Sequence, residues 1–220
     1  MCFSPQAALI GGLVVGGIGV DACRHVRSRN DHLLLAGLPL LLGTHQLVEA
    51  FVWWGVEGRV AHSVERVALW AYLLIAFVVL PIFVPYAVRA LEPTAARQSL
   101  MTPFVVLGAG VSTVLLIAML RSPIGVSEHP YHLAYDLNVS HRGIVIPLYV
   151  VAACGALLFS GYRHIELFGM ANLVAVGVLA WLTVDGFASL WCAYAAVAAG
   201  AIALHMRYAK PHRAQPYVLS

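Results

Sequence analysis

Lysine is almost missing from this 220-residue chain: Lys210, in the tail, is the only one. That position excludes a Schiff-base lysine inside any apolar segment. Charge of either sign is scarce, at 10% of residues against about 25% in soluble domains. Hydrophobic residues make up 61% and the mean hydropathy is +0.84. Those values exclude a soluble globular domain and leave a polytopic membrane protein. No C-x-x-C spacing links Cys2, Cys23, Cys154 and Cys192, which removes a zinc ribbon or a thioredoxin-like pair. No basic residue precedes the first apolar run, since Arg24 follows it, so no removable signal peptide is expected. The net charge of +3 does not point to nucleic acid, because the basic residues sit in short loops between apolar runs.

What the chain does contain is a series of segments of spanning length, roughly 17 to 25 mostly apolar residues each. They fall at 5–23, 33–55, 67–90, 101–120, 144–162, 168–187 and 190–207. The expected fold is therefore an all-α integral membrane protein of seven transmembrane helices in a single domain. Arg24, Arg27, Arg29, Arg89, Arg97, Arg163, Arg207, Lys210 and Arg213 lie on one side of this arrangement, with Arg59, Arg66, Arg121 and Arg142 on the other. The basic excess marks the cytoplasmic side, giving an outer N-terminus and an inner C-terminus, in a plasma membrane that for a bacterial chain is the inner membrane. Gly11, Gly12, Gly16, Gly17 and Gly19 in the first segment let a neighbouring backbone approach closely. Pro81 and Pro85 in the third predict a kink, or broken hydrogen bonds covered by neighbouring helices.

One segment is costly. Leu38 to Trp54 is apolar enough to cross a bilayer, yet carries His45, Gln46 and Glu49 near its middle. Helical positions i and i+4 share a face, so His45, Glu49 and Trp53 point the same way. Ionisable groups at that depth face a bundle interior, a cavity or a partner, and make a functional-site hypothesis by default. The alternative is a neutral His–Glu hydrogen bond that ties helices together.

The longest loop, Arg121 to Gly143, holds His129, His132, Asp136 and His141. With His132 to Asp136 as a helical turn, those two would share a face and could hold a metal with a third ligand. The alternative is a polar outer loop with solvated histidines. By orientation Cys2, this loop, Asp185 and Cys192 all belong to the outer end. Thiolate with imidazole favours zinc or copper, giving a candidate ligand set of Cys2, His45, Glu49, His132 and Cys192. A Cys2–Cys192 disulfide and simple packing remain as alternatives.

The two ends of the chain resemble each other. Arg24-His25-Val26 parallels Arg163-His164-Ile165, and Leu69-Trp70-Ala71-Tyr72 parallels Leu190-Trp191-Cys192-Ala193-Tyr194. Segments 1–3 and 5–7 then form parallel copies around a fourth crossing, a recurrent transporter design with the site at the repeat interface. By this pairing the His45/Glu49 face looks across at the region around Asn172, Trp181 and Asp185, and Gln46, Trp53, Tyr135, Asn172 and Asp185 would line a substrate site.

This three-plus-one-plus-three plan resembles the seven-helix group that contains the SWEET and PQ-loop transporters and the rhodopsins, in architecture alone. The Pro-Gln dipeptide is missing at the matching places, and Lys210 cannot serve as a retinal lysine. The last segment holds only His205, not the His-x-x-x-His pair of the ceramidase-like and adiponectin-receptor-like hydrolases. The start Met1-Cys2-Phe3-Ser4, Gln46-x-x-Glu49 with Trp53, His132-x-x-Tyr135 and Leu190-Trp191-Cys192 resemble an uncharacterised family of small actinobacterial-type membrane proteins. That resemblance implies fold and membrane location, and lends no catalytic residue.

Three functions fit these residues. The first is a small-solute or metal-ion transporter in which His45 and Glu49 take up a proton or cation. The second is a zinc- or copper-dependent enzyme acting on an amphiphile at the outer leaflet, with Glu49 as general base. The third is a sensor or accessory subunit with a structural polar core. The expected partners are the lipid bilayer and a small molecule or ion.

Overall fold

Helix α1 (Pro5–His25) starts where the sequence supplies a cap. Ser4 Oγ accepts from the Ala7 N–H at 3.2 Å, and Pro5 takes the first helical position, where a missing N–H costs nothing. This computed structural model describes residues 4–25, 30–129, 132–139 and 141–182. The expected seventh span, 190–207, lies outside the described residues, as do Cys2, Asp185 and Cys192.

Helix α2 (Asn30–Val56) lies antiparallel on α1, and glycine sets the closeness of that contact. A side chain on Gly43 would strike the Gly16 backbone, and one on Gly19 would strike Leu40. Backbones in direct contact gain dispersion along their length, which in an apolar medium replaces the missing hydrophobic drive between helices.

The next rod comprises α3 (His62–Leu74), a π-helical turn (Ile75–Val79) and α4 (Leu80–Leu91). The π turn lies just before Pro81, whose ring lacks an N–H and would clash with the carbonyl four residues back. The Leu80 N–H reaches Ile75 O instead, a register wide enough to pass the obstacle. Neighbouring helices satisfy the loosened carbonyls: Tyr149 Oη donates to Ala76 O at 2.8 Å, and Ser112 Oγ donates to Val78 O at 2.9 Å. The break expected from the two prolines is thus present, with the cover it requires.

Helix α5 (Ala95–Arg121) is capped by Thr94, whose side chain accepts from the Arg97 N–H. It crosses α4 closely, since Gly108 leaves no side chain to strike Pro81 O. Two strands follow, β1 (Gly125–His129) and β2 (His132–Asp136), paired antiparallel from Gly125↔Asp136 to His129↔His132. This corrects the helical turn expected for 132–136. The segment reads Leu133 and Tyr135 against Ala134 and Asp136, a period of two, which a strand satisfies by putting alternate residues on one face. The fold is therefore helical with one added hairpin. Helices α6 (Arg142–Leu158) and α7 (Arg163–Leu182) are the last described elements.

Packing runs from α1 to α2, from α2 to α3 and α4, from α4 to α5 and α6, from α5 to α6, and from α6 to α7. One apolar core gathers Leu35, Leu38, Leu80, Val88, Leu91 and Leu157. A second, under the hairpin, gathers Val52, Trp53, Leu69, Tyr72, Met119 and Leu133. Among the described residues four helices are long and apolar enough to cross a membrane: Pro5–Arg24, Leu33–Val56, His62–Leu91 and Ala95–Arg121. Arg142–Leu158 is shorter, because Ser160 and Gly161 end the run expected to reach residue 162.

Candidate functional site

The stripe that the spacing on α2 predicts is buried along its whole length. Exposure is 4% at His45, 1% at Gln46, 0% at Glu49 and 3% at Trp53. An apolar helix buries such groups only where other atoms face them, and α3 supplies the facing ring. Tyr72 stacks on His45 with centroids 4.0 Å apart and planes 20° apart.

The stack does not end there. Tyr135 of β2 lies on the other side of Tyr72, with centroids at 4.6 Å and again 20° between planes. Three rings from three elements thus form a column from mid-α2 to the hairpin, and each near-parallel contact contributes about 0.5–1.5 kcal/mol beyond burial. Leu133, fully buried two residues earlier on the same strand face, anchors the hairpin in the core beneath it. His45, Gln46, Glu49, Tyr72 and Tyr135 are each engaged by at least one polar, electrostatic or ring contact. The indole Nε1 of Trp53 has no hydrogen-bond partner among the described residues.

The remaining expected positions are more scattered. His132 pairs with His129 at the hairpin tip. Asp136 and His141 are exposed, and His141 holds φ 59° at the start of α6. Asn172 is buried at 8% exposure on α7, which packs against α6. Facing of α2 and α7, as the repeat implied, is therefore not a main contact among the described helices. Among the described residues no three His, Cys, Asp or Glu side chains gather as a metal site; Cys2 and Cys192 lie outside that set.

A second buried acid escaped the sequence reading. Glu92, at the end of α4, is 1% exposed. Its Oε1 accepts from Ser160 Oγ and from the Gly161 N–H, both at 2.8 Å. Gln98 Nε2 donates to the Glu92 carbonyl at 3.0 Å, and Tyr162 Oη donates to Leu91 O. The clasp ties the α4–α5 turn to the α6–α7 turn at the end of the bundle away from the hairpin. A side chain at Gly161 would crowd the Arg97 guanidinium and Glu92 Oε2. In sequence, Glu92-Pro93-Thr94 looks like an ordinary helix boundary. Its partner lies 68 residues away, and no local spacing signals it.

Fold and site together define a class: a helical bundle with, among the described residues, four helices of membrane-crossing length and an ionisable cluster buried under a β-hairpin. A family model described as a family of unknown function (DUF6629) matches residues 1–217. The chain belongs to that family. No curated protein and no solved structure matches it.

Proposed function

We propose that the chain is a multi-pass plasma-membrane protein that transports a small solute or a metal ion, with Glu49 and His45 as the groups that take up a proton or cation. The hairpin end faces outward, as the distribution of arginines requires. The observation that carries this reading is Glu49 itself: an ionisable side chain with no exposed surface, about two turns inside the end of a helix of spanning length. Carboxylate and imidazole groups in such positions serve as relays for protons and cations. Gln46, Trp53 and Tyr135 line the solute path around them, and the indole N–H of Trp53, without a hydrogen-bond partner among the described residues, is a donor available to a ligand.

The test is uptake by the purified chain in proteoliposomes, followed with an internal pH dye during addition of zinc, copper or candidate solutes. Uptake is expected in the wild type and lost in Glu49→Gln; undiminished uptake in that variant would refute the assignment. A metal-dependent enzyme at the outer leaflet is the second reading, favoured by the ring column that fixes the hairpin bearing His132 above the cluster. It requires stoichiometric zinc or copper by elemental analysis, lost in His132→Ala, with Cys2 and Cys192 as the thiolate ligands.

A further inference from the structure

At the end of the bundle away from the hairpin, the last turn of α4 and the first turns of α5 share a polar corner. Arg89 Nε donates to Thr102 Oγ1 at 3.2 Å. That hydroxyl donates in turn to Gln98 O at 3.0 Å, so its own helix fixes it and it holds the guanidinium by one edge. The other N–H groups of Arg89 have no acceptor, and its charge no carboxylate, among the described residues. The nearby acid Glu92 is already turned to Ser160 and Gly161. Arg89 is left as a held, half-exposed cation with donors to spare.

A shallow, open groove of about 630 Å³ runs along one face of α5, lined by Ser99, Thr102, Pro103, Val106 and Leu107, and Thr102 places the Arg89 guanidinium at its edge. At 1.5 Å rise per residue, the eight steps from Ser99 to Leu107 cover about 12 Å along α5. Hydroxyls stand at one end of that path and apolar side chains at the other, with Val106 65% exposed. A polar-to-apolar gradient over such a length matches the passage from headgroups into acyl chains.

We propose that this groove binds one anionic phospholipid, with its phosphate on the Arg89 guanidinium and an acyl chain along Pro103, Val106 and Leu107. Charge complementarity selects the occupant. A guanidinium presents paired donors to a phosphate oxygen pair, whereas an apolar helix from a partner would leave that cation buried and unpaired. Thr102 is a positioning residue. The inference rests on the membrane embedding in the reading above and is independent of transport.

The test uses the full chain reconstituted in vesicles of phosphatidylcholine with a minor share of phosphatidylglycerol, then extracted for native mass spectrometry of retained lipid. One phosphatidylglycerol is expected to be retained in preference to phosphatidylcholine, and Arg89→Gln should reduce that preference about tenfold. Val106→Trp, which fills the groove on an exposed face, should lower retention with Arg89 intact. Arg121→Gln, at the opposite end of α5, should leave retention unchanged. Equal retention in Arg89→Gln and wild type, or equal loss in Arg121→Gln, overturns the proposal. Failure of the membrane reading would show separately, as a chain that does not enter the vesicles.

Discussion

Removing the Ser160 hydroxyl should destabilise the far end of the bundle by an amount the Glu92 clasp fixes in advance. The carboxyl oxygen Oε1 receives two donors at 2.8 Å, and both Glu92 and Ser160 are buried. A hydrogen bond to a charged group contributes about 1.5–3 kcal/mol, so Ser160→Ala should cost about 2 kcal/mol. Glu92→Ala removes the acceptor for both donors and strands the Gly161 N–H as well, for about 3 kcal/mol or more. Glu92→Gln keeps an oxygen at the Oε1 position and should cost less than Glu92→Ala, because only the unbonded Oε2 corner changes. Unfolding of the detergent-solubilised chain, followed by circular dichroism, reads these differences. About 2–4 °C in Tm per kcal/mol for chains of this size puts Ser160→Ala roughly 4–8 °C below wild type. Because the two residues share one bond, the double variant Glu92→Ala/Ser160→Ala should fall short of the sum of the singles. Additive effects, or a neutral Ser160→Ala, would show that the two turns are not tied through this carboxylate.

Gly43→Leu should separate α1 from α2, since its side chain would enter the Gly16 backbone; overpacking of this kind costs typically 1–3 kcal/mol. Gly17→Leu, which meets nothing within 4 Å, is its control, and equal Tm loss in both would refute the contact. Ser112→Ala and Tyr149→Phe each free one carbonyl of the π turn and should lower stability by about 1 kcal/mol each. The same Tm assay checks them, with no loss in either as the contrary result.

Period and composition made the helices legible, because an apolar segment must satisfy its own backbone. The buried His45–Glu49–Trp53 stripe followed from one rule of helical spacing. The glycine face of α1 and the proline break in the third segment were legible for similar reasons: each is a local backbone property. The hairpin is obscured in the sequence by His129, His132, Asp136 and His141, whose spacing also suits a ligand set, while the alternation of Leu133 and Tyr135 with Ala134 and Asp136 carries the strand signal. Tyr72, which the sequence shows as part of a repeated Leu-Trp-Ala-Tyr run, is fully buried and stacks on both His45 and Tyr135. Its role depends on which elements pack together, and so does the pairing of Glu92 with Ser160.

The π turn links these scales. Counting 3.6 residues per turn onward from Tyr72 would put Val79, Phe83, Tyr86 and Ala90 on the buried face of the rod. Val79 and Tyr86 are instead exposed, at 37% and 45%, while Leu80, Ala87, Val88 and Leu91 are buried. The buried positions have moved by one residue, which is the phase shift of about 100° that one inserted residue gives a helix. With that shift, a single rod turns Tyr72 onto His45 at the hairpin end and Leu80, Val88 and Leu91 into the core shared with Leu35 and Leu38 of α2. An unbroken α-helix could satisfy one of those contacts, at the cost of the other. Pro81, Ser112 and Tyr149 therefore help to hold the ring column in place from outside it: the proline favours the wider turn, and the two hydroxyls occupy the carbonyls it loosens.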